Sequence, residues 1–238
     1  MRAIAALVVA ALAAAGTAAA SALGVAPIRA ELSSAATIAV VTVRNQDDAA
    51  VVVQARPALW TQHDEHDQLD ETHELLVTPP LFTIPPKGEQ TVRVALLRKP
   101  DPSRELDYRL VLSEVPPLAA PVNNQLRVVL RITLPVFVKA TASTSADLSW
   151  HHTTLPDGTL RIEARNNGTA HLQVLALDVD TGPSQQPLHT DSARYLLPGS
   201  VAHWDLQSAR GTASATHLAI HGHSDAGDLN ATSEPGVQ

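Results

Sequence analysis

The chain has 238 residues, no cysteine, and 24 acidic against 17 basic side chains, which gives a formal net charge of −7 at pH 7. A net negative chain lacks the basic surface that nucleic-acid binding needs, so we expect no nucleic-acid partner. Without cysteine there is no disulfide and no thiol chemistry, and hydrophobic cores must hold the fold together.

Residues 1–22 have the pattern of a secretory signal peptide. A basic Met-Arg start precedes a short Ala-rich apolar stretch, and small residues follow at Ala18, Ala20 and Ala22. This order is typical of a cleaved signal peptide. The alternative, a transmembrane anchor, is disfavoured because the stretch is mostly Ala and only marginally long enough to span a bilayer. We expect cleavage after Ala20 or Ala22, export to the periplasm and no membrane insertion.

The next segment contains short β-rich runs that are separated by Pro, Gly, Asn and Asp. Their spacing, and the lack of a segment with helical periodicity, predicts an all-β fold. Seven strands in about 115 residues is the size of one immunoglobulin-like sandwich. We predict these strands at 24–32, 37–45, 51–60, 74–84, 90–97, 106–115 and 125–138.

The second half repeats the pattern more loosely. The small-residue stretch 140–145 falls between the two halves, and such stretches often mark domain boundaries. The fold class predicted is therefore all-β, with two immunoglobulin-like β-sandwich domains at 23–141 and 142–238. Strands of the second domain are predicted near 146–152, 159–166, 171–180, 193–197, 201–206 and 215–223.

The last strand of the first domain has an unbroken apolar row. Residues two apart in a strand point to the same side. Such a row can be buried in the chain's own core or can bind another protein. Periodicity alone does not distinguish these two alternatives. The row consists of Leu126, Val128, Leu130, Ile132, Leu134 and Val136.

Residues 63–74 group His, Asp and Glu side chains that could bind zinc or copper. A segment this polar is more often a solvated hairpin, and we expect no metal and no cofactor. The chain has no Gly-x-Ser-x-Gly motif and no Gly-rich phosphate loop. We therefore expect no catalytic residues, and a metal-dependent enzyme is the weakest of the alternatives.

Several motifs in the first domain resemble those of one known family. They are Val25-Ala26-Pro27-Ile28-Arg29, Trp60-Thr61-Gln62, Val77-Thr78-Pro79-Pro80-Leu81-Phe82, Pro86-Lys87-Gly88-Glu89-Gln90-Thr91-Val92-Arg93-Val94, Tyr108-Arg109, Glu114-Val115-Pro116 and Leu134-Pro135-Val136-Phe137-Val138. In order and spacing they resemble the periplasmic pilus-assembly chaperones of the chaperone–usher pathway, the PapD-like family. The resemblance is greatest to the branch that serves spore-coat-U-type subunits.

The resemblance implies two immunoglobulin-like domains set at an angle, with the last strand of the first domain lent to a subunit that lacks a strand. This mode of recognition is β-strand addition, and chaperone–pilin complementation is an established example of it. The partners implied are a spore-coat-U-like pilus subunit and an outer-membrane usher. The implied donor residues are Leu126, Val128, Leu130, Ile132 and Leu134, while Val129 is expected to face the chaperone's own core.

The resemblance also implies a basic anchor for the C-terminal carboxylate of the subunit. Arg29 matches the family's cleft arginine, but Pro135 stands where the better-known branch has a lysine. We expect Arg109 to be the main anchor, assisted by Arg29 or Lys139, although each could instead be a solvated surface cation.

Two further expectations come from the resemblance. Pro79 and Pro80 are the candidates for the surface that faces the usher, or else they form a bend at a sheet edge. Self-association of the free protein through its apolar strand is left open. The main alternative function is that of an adhesive immunoglobulin-like binding protein, although the chain has only three Trp, two Tyr and two Phe.

Overall fold

The computed structural model describes residues 23–116, 128–182, 186–207 and 216–236, which form β-strands and no helix. The predicted all-β fold is confirmed. Within these ranges nothing has the helical length and hydropathy needed to cross a bilayer. The strands of the first half are β1 (Leu23–Ala26), β2 (Ala30–Leu32), β3 (Ile38–Asn45), β4 (Val51–His63), β5 (His66–Glu71), β6 (Leu75–Thr78), β7 (Leu81–Ile84), β8 (Glu89–Leu96), β9 (Leu106–Glu114) and β10 (Arg131–Val138).

The second half contains the remaining strands. They are β11 (Leu148–Thr154), β12 (Leu160–Asn166), β13 (Leu172–Asp180), β14 (Leu188–Thr190), β15 (Arg194–Leu196), β16 (Val201–Leu206), β17 (Leu218–Ser224) and β18 (Gly227–Pro235). No described sheet contains strands from both halves.

The first half consists of two sheets that enclose one apolar core. One sheet has the order β1-β3-β8-β6, and the other has the order β2-β10-β9-β4-β5 with β7 also paired to β4. Alternate residues of the long strands point inward, for example Val92 and Val94 of β8 and Leu110 and Leu112 of β9. The period-2 pattern of the sequence is thus the pattern of a two-layer sandwich.

Two predicted strands are each divided between the two sheets. The predicted strand 24–32 is β1, which pairs with β3, followed by β2, which pairs with β10. The predicted strand 74–84 is β6, which pairs with β8, followed by β7, which pairs with β4. Pro27 and Pro79 lie in the two interruptions. Proline has no N–H to give to a ladder, so each strand leaves one sheet there and joins the other.

The polar segment after residue 60 is a β-hairpin. β4 continues to His63 instead of ending at residue 60, and it pairs with β5 in register from Ala58–Glu71 to His63–His66. Asp64 and Glu65 form the two-residue turn with φ values of 46° and 67°. Positive φ at both positions matches the twist of a two-stranded hairpin.

The second half encloses a separate core. Its strands follow the order β14-β13-β17-β18-β11-β12-β16, with β15 also paired to β13. Two layers meet where the end of β18 pairs with β11 at His151–Glu234 and His152–Pro235. Inside, Trp150 and Trp204 stack with their ring centroids 5.9 Å apart. The domain boundaries 23–141 and 142–238 stay a prediction.

A buried Asn closes the end of one strand in each half. Asn45 donates from Nδ2 to Ala49 O (2.7 Å) and Pro85 O (3.1 Å), and its Oδ1 accepts from Asp47 N (3.0 Å). Asn166 stands at the corresponding end of β12. Its Nδ2 donates to Ala170 O (2.8 Å) and Leu196 O (3.0 Å), and its Oδ1 accepts from the N–H groups of Gly168 and Asp147.

We predict that Asn166→Ala lowers the free energy of unfolding by about 2–3 kcal/mol, because it leaves buried backbone groups without partners. The neighbouring Asn167 is exposed, and its side chain bonds only to Ser149 Oγ among the described residues. Asn167→Ala should therefore stay within about 0.5 kcal/mol of the parent. Urea unfolding of both variants tests this, and equal losses would contradict the role given to Asn166.

Candidate functional site

The apolar row that runs into β10 leaves the chain's own core near the start of the strand, which begins at Arg131, so that residues 128–130 of the predicted strand 125–138 precede it. Val136 and Val138 are fully buried in the first core, and Leu134 is only 4% exposed. Ile132 packs against the edge of this core, and Leu130 is half-buried, while Val128 is 46% exposed. The row is therefore shared: one end fills this molecule, and the other end is available to something else.

This gradient corrects two expectations about the donor strand. Leu134 was expected to fill a subunit groove, but its side chain packs in the first core on the same face as Val136 and Val138. Val129 was expected to face the core, but it is 47% exposed because no second layer covers this end of the strand in the described residues. Leu126 lies outside the described residues.

One backbone edge of β10 has no partner strand among the described residues over the same stretch. β9 covers the other edge throughout, while β2 covers this edge only at Val136–Val138. The Leu130 carbonyl accepts from the Glu114 N–H (2.9 Å), so the even-numbered positions bond to β9. By alternation the N–H and C=O groups of Arg131 and Thr133 point to the open edge.

Pro135 fits this arrangement. It pairs with Arg109 across β9 at a position whose backbone polar groups face the open edge. Its missing N–H therefore removes no bond to β9, which is the condition under which proline is tolerated in a sheet.

The two halves meet at an aromatic cluster. Trp60 of β4 and Phe137 of β10 lie on the outer face of the first domain's larger sheet, where they pack with Leu197 of the second half, and Leu69 and Tyr195 border them. The Trp60 ring lies 5.3 Å from the Tyr195 ring in an edge-to-face arrangement. We call these five residues the interdomain cluster. Its contacts seat the second half against this sheet.

Arg109 is held inside the interdomain cluster. Its guanidinium carbon lies 3.5 Å from the centre of the Trp60 ring and 5.3 Å from that of Tyr195. The side chain is only 11% exposed, and its Nη2 lies 3.4 Å from Asp67 Oδ2. Burial lowers the pKa of Arg109 from its ordinary value, although it stays a cation. A rigid, poorly solvated cation of this kind is suited to binding a carboxylate.

Arg29 and Lys139 lie together at a second position. Both contact Glu31, Arg29 at 3.3 Å and Lys139 at 2.6 Å, and Arg29 also donates to Asp225 Oδ2 at 2.7 Å. Burial raises the pKa of the Tyr195 hydroxyl above its ordinary value, and the positive charges of Arg109 and Arg29 offset part of this rise. Each of the three candidate anchors already has a carboxylate partner, but their exposure differs: the Arg109 side chain is buried, Arg29 is half-buried and Lys139 is an exposed surface cation.

A buried ionic group, which we call the seam cluster, lies beside Phe137. It consists of Glu105, Asp107 and His171, and the His171 ring stacks on Phe137 with centroids 3.5 Å apart. Burial lowers the pKa of His171, but hydrogen bonds to Asp225 and Glu105 outweigh this and raise it to about 9. Burial, with the charge of Glu105, raises the pKa of Asp107 well above its ordinary value.

The hairpin β4–β5 also contacts the second half. Gln62 donates from Nε2 to Tyr195 O (3.0 Å) and accepts at Oε1 from Leu197 N (3.0 Å), which fixes it to the backbone around β15. Glu65 at the hairpin turn contacts the His203 ring of β16. The polar hairpin is therefore part of the interdomain contact and is not a free solvated loop.

The hairpin does not gather metal ligands. In the part of the chain that the structure describes, the seam cluster is the only group of three His, Asp or Glu side chains whose ligand atoms converge. The alternative of a metal-dependent enzyme built on residues 63–74 thus has no support.

The two usher candidates lie between β6 and β7. Pro79 is half-buried and Pro80 is exposed, and the Pro80 carbonyl accepts from Ala55 N (2.8 Å). Exposed Leu81 follows directly at the start of β7. The two prolines form a bend at the sheet edge.

Sequence reasoning missed the seam cluster. Glu105 and Asp107 stand at the start of β9 and His171 stands just before β13, so 66 positions separate Glu105 from His171. An isolated His before a strand carries no signal of its own. Trp60 and Gln62 were visible as a motif, but nothing in their pattern indicates an interdomain contact.

Comparison with known proteins agrees with this architecture. A family model described as pili and flagellar-assembly chaperone, PapD N-terminal domain, matches residues 22–142. The chain therefore belongs to this family of assembly chaperones, which are not enzymes. No curated protein sequence matches the chain.

Solved structures show the same fold at low identity. A chain from the CsuC–CsuE chaperone–tip adhesion subunit pre-assembly complex of the archaic chaperone-usher Csu pili of Acinetobacter baumannii is 18% identical, with a TM-score of 0.64, covering 90% of this chain and 98% of that one. The YadV chaperone is 17% identical with a TM-score of 0.63, and the match covers 89% of this chain and 98% of that one. The E. coli chaperone DraB is 17% identical with a TM-score of 0.61, and the match covers 93% of this chain and 99% of that one. The fold is that of two immunoglobulin-like sandwiches.

We predict that Gln62→Ala weakens the interdomain contact, because it removes the acceptor of the Leu197 N–H and the donor to Tyr195 O. The free energy of unfolding should fall by about 1–3 kcal/mol, and the Leu197 amide should exchange with deuterium faster. Gln68→Ala is the control, since exposed Gln68 reaches only Asp70 among the described side chains. Unchanged exchange at Leu197 in Gln62→Ala would contradict this role.

Proposed function

We propose that this protein is a periplasmic chaperone that captures incomplete pilus subunits by lending them β10 and then delivers them to an outer-membrane usher. The observation that carries the proposal is the apolar row of β10, which passes out of the first core at Ile132 while the backbone edge of the same stretch is open. Membership of the chaperone family and the likeness to chaperones solved with subunits support it.

The proposed donor residues are Val128, Leu130 and Ile132, with Leu126 preceding them in the same row. Burial of one large aliphatic side chain contributes roughly 1.5–3 kcal/mol. Val128 and Leu130 are incompletely buried in the free protein, so much of this burial free energy is available for binding a subunit. The open N–H and C=O groups of Arg131 and Thr133 would set the register of the added strand.

The proposed anchor for the subunit's C-terminal carboxylate is Arg109, assisted by Arg29 and Lys139. Arg109 is the best supported, because two aromatic rings fix its guanidinium and its ion pair with Asp67 is long at 3.4 Å. Arg29 and Lys139 have closer carboxylates at 2.6–3.3 Å. A subunit carboxylate would therefore compete with a weaker internal partner at Arg109.

Several finer statements belong to the same proposal. The likeness to an archaic Csu chain supports a subunit of the spore-coat-U type. Pro79 and Pro80, beside exposed Leu81, are the proposed usher-facing residues. Residues 1–22 are proposed to be a cleaved signal peptide that directs the protein to the periplasm, with domains at 23–141 and 142–238.

We predict that Leu130→Asp leaves the chaperone folded but abolishes recovery of its co-expressed subunit from the periplasm, because a carboxylate cannot be buried in an apolar groove. Val129→Asp is the matched control, since Val129 is the adjacent exposed residue on the opposite face. Subunit levels in periplasmic extracts, with circular dichroism of each chaperone, provide the measurement. Equal recovery with the two variants would refute the donor assignment.

We predict that Arg109→Gln weakens subunit binding about 10- to 100-fold, the value of a charge-assisted hydrogen bond, whereas Arg131→Gln has little effect. Arg131 is the control because it is an exposed cation of the donor strand. The affinities are compared for the natural subunit and for one extended by two C-terminal glycines.

The extension moves the carboxylate away, so the effect of Arg109→Gln should disappear with the extended subunit. Persistence of the full effect would mean that Arg109 acts through the interdomain cluster and not on the carboxylate. A larger effect of Arg29→Gln or Lys139→Gln in the same assay would identify the other position as the main anchor.

A further inference from the structure

The seam cluster brings metal-ligand chemistry from both halves of the chain to one point. Glu105 and Asp107 come from the start of β9, and His171 comes from the residue before β13. One ligand atom of each lies within 4.8 Å of the others. Imidazole and carboxylate are the ligands that divalent transition metals use in proteins.

One carboxylate oxygen of this cluster has no hydrogen bond among the described residues. Asp107 is only 6% exposed, and its Oδ1 has no hydrogen bond within the described part of the chain. Glu105 is buried as well. An unpaired buried carboxylate oxygen is costly, so its presence beside two other potential ligands indicates a group that completes it.

The surroundings hold the three side chains in place. Glu105 N donates to Thr169 O (2.9 Å) and His171 N donates to Glu105 Oε1 (3.0 Å) across the domain contact. The His171 ring stacks on Phe137, and Asp225 Oδ2 lies 3.5 Å from its Nε2. A carboxylate on the far nitrogen of an imidazole is the usual support of a metal-ligating His.

We propose that Glu105, Asp107 and His171 form a structural site for a divalent transition-metal ion that links the two domains. This goes beyond the expectation of no metal, and it does not depend on the proposed chaperone function. His171 Nδ1 and Glu105 Oε1 now share a hydrogen bond of 2.6 Å. The ion takes the place of that proton, which passes to solvent, and ligand atoms about 2.0–2.2 Å from the ion complete the site.

One edge of the site borders an open groove. His171 borders an open groove of the second half that is also lined by Leu148, Trp150 and Leu229. Of the three proposed ligands, His171 is the one that lines this groove.

The test is a titration of ZnCl₂ into the tag-free mature chain after treatment with a chelator, followed by calorimetry and thermal melting. One zinc per chain should bind and raise the melting temperature. Asp107→Asn, which keeps the shape of the side chain, should weaken zinc binding at least about tenfold, and His171→Gln should abolish it. Asp107→Asn should melt no lower than the parent in the presence of chelator, which shows that its loss of zinc is not misfolding.

The control removes two of the three histidines of the first half, His63 and His66. A His63→Asn/His66→Asn variant alters only the exposed end of the hairpin and should bind zinc like the parent. The proposal is overturned if the parent shows no saturable binding, if Asp107→Asn and His171→Gln bind like the parent, or if the hairpin variant loses binding. If the parent shows no saturable binding, Asp107 and Glu105 share a proton and the site holds no ion.

Discussion

The central constraint on this molecule is that one strand, β10, must complete its own sandwich with only part of its apolar row. The end at Val136 and Val138 is enclosed by β9, by β2 and by the opposite sheet. β2 is too short to follow β10 any further, so the other end keeps both an uncovered apolar side and an unpaired backbone edge. Such an edge is a liability in most proteins and is useful only where another strand is to be added.

The second domain follows from the same sheet. Its contact covers the outer face next to β10, where Trp60, Phe137 and Tyr195 pack and Arg109 is fixed between two rings. The polar hairpin β4–β5 extends this contact through Gln62 and Glu65. The donor positions at and just before the start of β10 and the fixed cation Arg109 of β9 therefore lie along one strand pair, which would let a single subunit meet both.

The sequence is sufficient for the architecture and for the strand that carries the candidate site. Alternation of apolar residues predicts β10, and turn residues predict most strand ends. Alternation cannot predict where the row leaves the core, because that depends on tertiary packing, and Leu134 was expected outside the core but lies in it for this reason. The division of two strands at Pro27 and Pro79, and the meeting of Asp107 with His171, likewise depend on tertiary contacts between distant segments.

Residue-resolved amide exchange of β10, with and without a bound pilus subunit, tests the central claim most directly. Leu130 and Ile132 bond toward β9 in the free protein, whereas the amides of Arg131 and Thr133 face the open edge. The account predicts that binding protects Arg131 and Thr133 strongly and changes Ile132 little. Protection confined to other strands, with Arg131 and Thr133 exchanging as before, would show that the subunit docks elsewhere.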